Sequence, residues 1–317
     1  MPAATIEEPV LPTYNLDMTE LAGGTFTSID AVQAALEEQC YVADRSLATA
    51  LFLSLRLRKP LLLEGEAGVG KTEVAKVLAS MLHTRLIRLQ GYEGIDVSHA
   101  VYEWNYSGQI LAIRLAEVRG EGHEPPDIFG QEFLIKRPLL QALEAGTDGK
   151  PAVLLLDELD RVDDEFEAYL LEVLSDYQVS VPEIGTIRAA VAPAVVITSN
   201  RTRELHDALK RRCLYHWIEY PSAEKEYAIV SLRVPEAPER LRAQVVEFIQ
   251  ELRSVDLYKV PGIAETLDWT RALVSLGQTA LDAALVEDTL GVIVKNQEDV
   301  NRLRGPAVRE LVQRVAR

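Results

Sequence analysis

Eight residues, Gly65-Glu66-Ala67-Gly68-Val69-Gly70-Lys71-Thr72, constrain this chain more tightly than any other stretch. They satisfy G-x-x-x-x-G-K-[ST] at every fixed position. The flanks agree: the short apolar run PLLLE (60–64) precedes them and the helical pattern EVAKVLASMLH follows. A strand that turns through glycines into a helix aims backbone N–H groups inward. It also adds the partial positive charge of a helix N-terminus, and together these cradle phosphates. Lys71 is then expected to reach the β- and γ-phosphates of a nucleotide, and the Thr72 hydroxyl to ligate Mg²⁺. A glycine-rich turn without function has no need of a strand before it and a helix after it.

The rest of the chain agrees with such a site. RLIRLQ (85–90), AVLLLD (152–157), AVVITSN (194–200) and LYHWIEY (214–220) read as further short apolar strands, with helical patterns between most of them. Strands of this kind alternating with helices predict a parallel sheet covered on both faces. Two helices, SIDAVQAALEEQC from Ser28 and DRSLATALFLSLRLR, come before the first strand. After Tyr220-Pro221 the spacing is helical throughout, so the expected division is a nucleotide-binding domain over 28–221 and an all-helical domain over 222–317. Residues 1–27 carry Pro, Glu and Thr without periodicity and read as an extended arm.

A phosphate cradle of this type works with a second acidic site. Val153-Leu154-Leu155-Leu156-Asp157-Glu158 is an apolar strand ending in two acids. Asp157 is expected to hold Mg²⁺, and Glu158 to polarise the attacking water. The alternative is an acidic, solvated helix start, which suits Asp160, Asp163 and Asp164 but not two acids that end a buried strand. Asn200 closes AVVITSN; if that strand lies beside the phosphate-loop strand, Asn200 points at the γ-phosphate and the water.

Composition narrows the alternatives. The 317 residues, 48% of them hydrophobic, suffice for one large domain or two smaller ones. A net charge of -16, from 33 Lys+Arg against 49 Asp+Glu, opposes broad contact with nucleic-acid phosphates. Against that background Lys210-Arg211-Arg212 stands out. Two cysteines, Cys40 and Cys213, form no CxxC, and the five histidines are scattered, so a protein zinc site has little support. The N-terminus is acidic where a signal peptide is basic, and no apolar run reaches membrane-span length. The expectation is a cytoplasmic protein with no integral membrane segment and no nucleic-acid partner.

The order of these motifs resembles that of AAA+ ATPases. Within them the chain is similar to the MoxR family, most of all its CoxD-like branch. The resemblance rests on LLLEGEAGVGKTEVAK, DVSHAVYEWNYSGQ, LLLDELDRVDDEFEAYLLEVLSDYQVSVPEIGTI, ITSNRTRELHDALKRRCLYHW and AETLDWTRAL, and spans nearly everything after about residue 28. It implies an α/β fold: a P-loop AAA+ αβα sandwich with a parallel five-stranded sheet, a helix-2 insert and a pre-sensor-1 hairpin, followed by an all-α helical lid. It implies ATP and Mg²⁺ as cofactors and a homo-oligomeric ring, a hexamer. It further implies a von Willebrand factor A domain adaptor and a protein client, a metalloenzyme such as the molybdenum hydroxylase carbon monoxide dehydrogenase.

The same resemblance assigns residues. Arg212 falls at the arginine-finger position with Arg211 beside it, serving a neighbouring subunit's phosphate; the alternative is cations favoured at a helix C-terminus. Arg271 matches the sensor 2 arginine of the lid, against an ordinary surface arginine. Tyr41 and Val42 sit where the adenine ring is held. Many MoxR proteins read DEINR where this chain reads DELDR, so Asp160 puts an acid where an amide stands. Tyr92, Tyr102, Trp104 and Tyr106 fall in the insert region and either meet a client or pack on their own domain. QVSVPEIGTIRAAV (178–191) reads as the hairpin. A DNA- or RNA-acting AAA+ motor and a small-molecule P-loop kinase are the competing readings. The hairpin offers only Arg188 to nucleic acid, and a kinase needs neither trans arginines nor a lid.

Overall fold

A computed structural model describes residues 26–119, 127–148 and 150–315. The arm expected over 1–27 lies outside the described residues as far as residue 25. Nine strands and fourteen α-helices are described, beginning with α1 (Ile29–Glu38), which Ser28 caps by accepting from the Ala31 amide at 3.1 Å, and α2 (Arg45–Leu57). The strands β1 (Leu61–Gly65), β2 (Leu86–Gln90), β5 (Val153–Asp157), β8 (Ala194–Ser199) and β9 (Leu214–Ile218) form one parallel sheet in the order β2-β5-β8-β1-β9. All five strands anticipated from the sequence are present, each within two residues of its expected ends.

Alternate residues of the central strands feed two separate cores, as strand geometry requires. Leu62, Leu154 and Leu156 point to one face, into a core shared with α6 (Pro138–Glu144) and α7 (Asp164–Asp176). Leu61, Leu63, Val153 and Leu155 point to the other, into a core shared with α1, α2 and α3 (Lys71–Met81). Each fully buried leucine stabilises the sheet by about 1.5–3 kcal/mol, which is why these strands read as unbroken apolar runs.

Two small antiparallel pairs interrupt this plan. Between β2 and β5, α4 (Val97–Ala100) leads to β3 (Tyr102–Trp104), α5 (Tyr106–Arg119) and β4 (Leu134–Lys136), and β3 pairs with β4. This is the insert, set ahead of α6. Of its aromatics, Trp104 is buried and meets Phe129 edge-on at 5.4 Å, Tyr102 packs against the core, and Tyr92 and Tyr106 are exposed. The second pair, β6 (Gln178–Val181) and β7 (Gly185–Arg188), is the hairpin read from the sequence.

After α8 (Asp207–Arg212) and β9 the described chain is helical: α9 (Ala223–Arg233), α10 (Glu239–Arg253), α11 (Ile263–Ser275), α12 (Ala283–Ile293), α13 (Gln297–Leu303) and α14 (Pro306–Val315). These helices have their own core around Phe248 and Trp269, whose rings lie 5.2 Å apart. Glu226 of α9 is fully buried, and Arg253 grips both of its oxygens at 2.7 Å. No helix among the described residues is long and apolar enough to cross a membrane.

Candidate nucleotide site

The carboxyl ends of β1, β5 and β8 meet at one edge of the sheet, where open α/β folds bind ligands. β1 runs into the glycine loop. Gly68 (φ +80°) and Gly70 (φ +95°) adopt left-handed backbone that other residues take at a cost. Gly70 is also the N-cap of α3, so this helix starts with no side chain capping its free N–H groups. They are donors available to an anion, and that is the loop's fit to a phosphate chain. Lys71 is buried, and its ammonium donates to the carbonyls of Gly65 (2.8 Å) and Glu66 (2.6 Å). Burial lowers its pKa from the usual lysine value, with Asp160, Glu66, Asp157 and Glu158 acting in the opposite sense.

Asp157 ends β5 with both oxygens engaged. Oδ1 accepts from Thr72 Oγ1 (3.0 Å) and Thr198 Oγ1 (2.6 Å), and Oδ2 lies 2.5 Å from Arg88. Thr72 and Asp157 are thus adjacent oxygen donors of the kind Mg²⁺ prefers. No cluster of three or more His, Cys, Asp or Glu able to hold a metal occurs among the described residues. A magnesium ion here would need phosphate oxygens to complete its shell. Glu158 follows with left-handed backbone (φ +54°); its amide donates to Thr198 Oγ1 (2.9 Å) and its carboxylate lies 3.0 Å from Arg161.

A cleft of about 610 Å³ opens over these groups, a volume suited to a nucleotide. Ala67 to Thr72 line it, with Asp157, Glu158 and Asn200 on the sheet side. Tyr41 and Val42 line one wall, and Arg271 of α11 lines the lid side, half-exposed and 3.4 Å from Asp268. Gly65 and Glu66 do not line the cleft; they meet Lys71 through their carbonyls. Burial raises the Tyr41 phenol well above the ordinary tyrosine range, so it is neutral.

The helical region touches the loop directly. The Ala264 amide donates to the Gly68 carbonyl (3.3 Å), and a Cβ on Gly262 would come within 2.8 Å of Gly68 backbone atoms. Arg233 pairs with Glu73 (2.6 Å) and Lys225 with Asp44 (2.5 Å), so α9 is tied to α3 and to the start of α2.

Arg211 and Arg212 stand apart from this cleft. Both are exposed on α8 and neither lines it. Arg212 donates to the Leu171 carbonyl at 2.7 Å, and Lys210 pairs with Glu204.

One sequence expectation is corrected. Asp160 does not belong to a solvated helix start. It lies in a 3₁₀ turn, Leu159–Arg161, is 2% exposed, and accepts from the Thr202 amide and hydroxyl at 2.8 and 2.7 Å. Asp163 caps α7 instead, accepting from the Phe166 amide at 2.9 Å. The sequence reading also passed over Thr198 and Arg88, the residues that fix Asp157. Thr198 was within reach: it is two residues before Asn200 on one strand, so it shares that residue's face. Arg88 carried no local signal.

Glycine loop, paired strand-end acids and a lidded cleft define a P-loop nucleoside triphosphatase. Residues 60–213 match the AAA domain family, dynein-related subfamily. The chain is 24% identical over 259 residues to an uncharacterized protein of Staphylococcus epidermidis, covering 80% of this chain and 88% of that one. It is 28% identical over 218 residues to the proteasome-associated ATPase of Nakamurella multipartita, covering 67% of this chain but 33% of that longer protein. Among solved structures, a point mutant of Thermotoga maritima RuvB aligns with 87% of this chain and 73% of its own, at 16% identity and a TM-score of 0.46. Over residues 60–213 the chain carries an AAA+ ATPase domain, consistent with an ATP hydrolase.

Proposed function

We propose that this chain is a MoxR-type, CoxD-like AAA+ machine: a Mg-ATP-driven ring, a homo-hexamer, that remodels protein clients. One observation carries the reading. Arg211 and Arg212 are exposed on α8 and line no part of their own chain's cleft, although the chain around them is acidic. A guanidinium suits phosphate oxygens, and a neighbouring subunit's cleft is the one such site that a ring brings to them.

In this reading the amides of 65–72 and Lys71 hold the phosphates, Thr72 and Asp157 hold Mg²⁺, and Tyr41 and Val42 flank the base. Bound Mg²⁺ supplies charge neutralisation across the phosphates. Glu158 accepts a proton from the attacking water, Asn200 orients that water, and Arg271 senses the γ-phosphate from the lid. Arg212, with Arg211 beside it, completes the neighbour's site. The chain divides at 221–222 into the ATPase domain and the lid that closes over the nucleotide.

The client is a protein. Ile110, Leu111, Leu115 and Val118 of α5 are exposed, and apolar surface of this kind marks protein contact. The relatives named proteasome-associated ATPases support a protein-directed role. From the CoxD-like resemblance, the client is a metalloenzyme of the molybdenum hydroxylase class, with a von Willebrand factor A domain adaptor, in the cytoplasm.

The test is the Glu158→Gln variant in Mg-ATP. Its hydrolysis should fall by about 10²-fold or more with ATP still bound, and light scattering should give the mass of six chains. A monomer under saturating ATP would contradict the ring.

A further inference from the structure

Glu158 and Asn200 each follow the last residue of neighbouring strands, β5 and β8, and left-handed backbone occurs at both turns: Glu158 itself at φ +54° and Arg201, after Asn200, at φ +56°. Non-glycine residues keep such backbone only where their surroundings over-determine it. Part of the support is local. The Glu158 amide donates to Thr198 Oγ1 (2.9 Å) and the Arg201 amide to Ser199 Oγ (3.0 Å).

Beyond the sheet the two turns are joined by Asp160. Its Oδ2 accepts from both the amide (2.8 Å) and the hydroxyl (2.7 Å) of Thr202, and its carbonyl accepts from that hydroxyl at 3.3 Å. Asp160 lies two residues after Glu158, and Thr202 two after Asn200. Asp160 is 2% exposed, and its Oδ1 is buried with no partner among the described residues. Leaving a carboxylate oxygen buried and unpaired is unfavourable, so the other oxygen must return more than packing.

We infer that Asp160 is a positioning residue for hydrolysis, a clasp through Thr202 that sets where Glu158 and Asn200 stand relative to one another. It rests on the reading of those two residues given above. The clasp uses one acceptor oxygen, which an amide also supplies, so its action does not depend on the second carboxylate oxygen.

Five variants test it: Asp160→Ala, Asp160→Asn, Thr202→Val, the Asp160→Ala/Thr202→Val double variant and Glu158→Gln. Steady-state hydrolysis is measured beside the affinity for a fluorescent ATP analogue. A displaced catalytic group costs up to about 10²-fold. Asp160→Ala, which removes every bond of the clasp, should lower kcat about tenfold or more, and Thr202→Val, which loses the hydroxyl bonds but keeps the amide one, by a smaller factor, both with analogue affinity within about twofold. The double variant should be no slower than the slower single one. Asp160→Asn should stay within about threefold of the parent.

Full kcat in Asp160→Ala would overturn the clasp, as would Asp160→Asn as slow as Asp160→Ala. If Asp160→Ala does not fold, Asp160→Leu, which fills the site with no acceptor, replaces it. Glu158→Gln at the parental rate would instead overturn the underlying reading, whereas Glu158→Gln inactive beside a fully active Asp160→Ala overturns only the clasp.

Discussion

Lys71 gives two of its three N–H donors to the carbonyls of its own loop, which leaves the third for a phosphate oxygen. Cys40 reports on the same cleft by other chemistry. It is exposed and lines the cleft beside Tyr41. Cys213 is different: burial pushes its thiol up to about 12, which suppresses the thiolate that alkylation needs. At pH 8, iodoacetamide should label Cys40 first and Cys213 only on unfolding, as peptide mass mapping would show. At ATP ten times its Kd the Cys40 rate should fall about tenfold, because only the empty tenth of the sites reacts. An unchanged rate would mean that nucleotide binds elsewhere. At this scale the sequence was legible where neighbours constrain one another, as in Ala67–Thr72 and Asp157, which the fold brings to one cleft. It was misleading at Asp160, where a charged residue after other acids looks solvated and its burial depends on Thr202, forty-two residues away.

Helices and strands were legible to the degree that burial imposed a period. β1, β5 and β8 are almost wholly buried, so each is apolar up to its carboxyl end, where Glu64, Asp157, Thr198 and Ser199 stand. β3 and β4 have three residues each, too few to show alternation. α5 carries apolar residues all round, exposed positions included, with polar ones scattered among them, so no amphipathic stripe announces it. Glu226 shows the same limit in the lid: in sequence it is one more acid in a first helical turn. In the fold it is enclosed by Arg253 and accepts from Gln250 and Thr266, each at 2.7 Å. Arg253 also donates to the Pro261 carbonyl (2.9 Å), next to the Gly262 that backs Gly68. Removing one partner of a buried pair costs about 3–5 kcal/mol. Glu226→Ala should lose stability of that order in urea unfolding and weaken ATP binding, because the start of α11 loosens from the loop. Unchanged stability would show that the network is not what fixes these helices.

At the scale of the whole molecule, the alternation of strands and helices made the sheet and the helical region readable. The proposed assembly is less so, because a ring would leave no periodic mark on one chain. The feature that the proposal rests on is a local contradiction: three cations, Lys210 to Arg212, in a chain of net charge -16. One of them, Lys210, is taken up by Glu204, and Arg212 rests on a backbone carbonyl with no acid as its partner among the described residues. The most direct measurement mixes two variants, Glu158→Gln and Arg212→Ala, each expected to be nearly inactive alone, since an arginine finger is worth about 10³-fold or more. Arg212→Ala keeps an intact cleft and Glu158→Gln keeps an intact arginine. Hydrolysis that returns on mixing, at interfaces joining the two intact halves, is the result this account predicts. Full activity of Arg212→Ala alone would contradict it and leave Lys210–Arg212 as a charged surface turn.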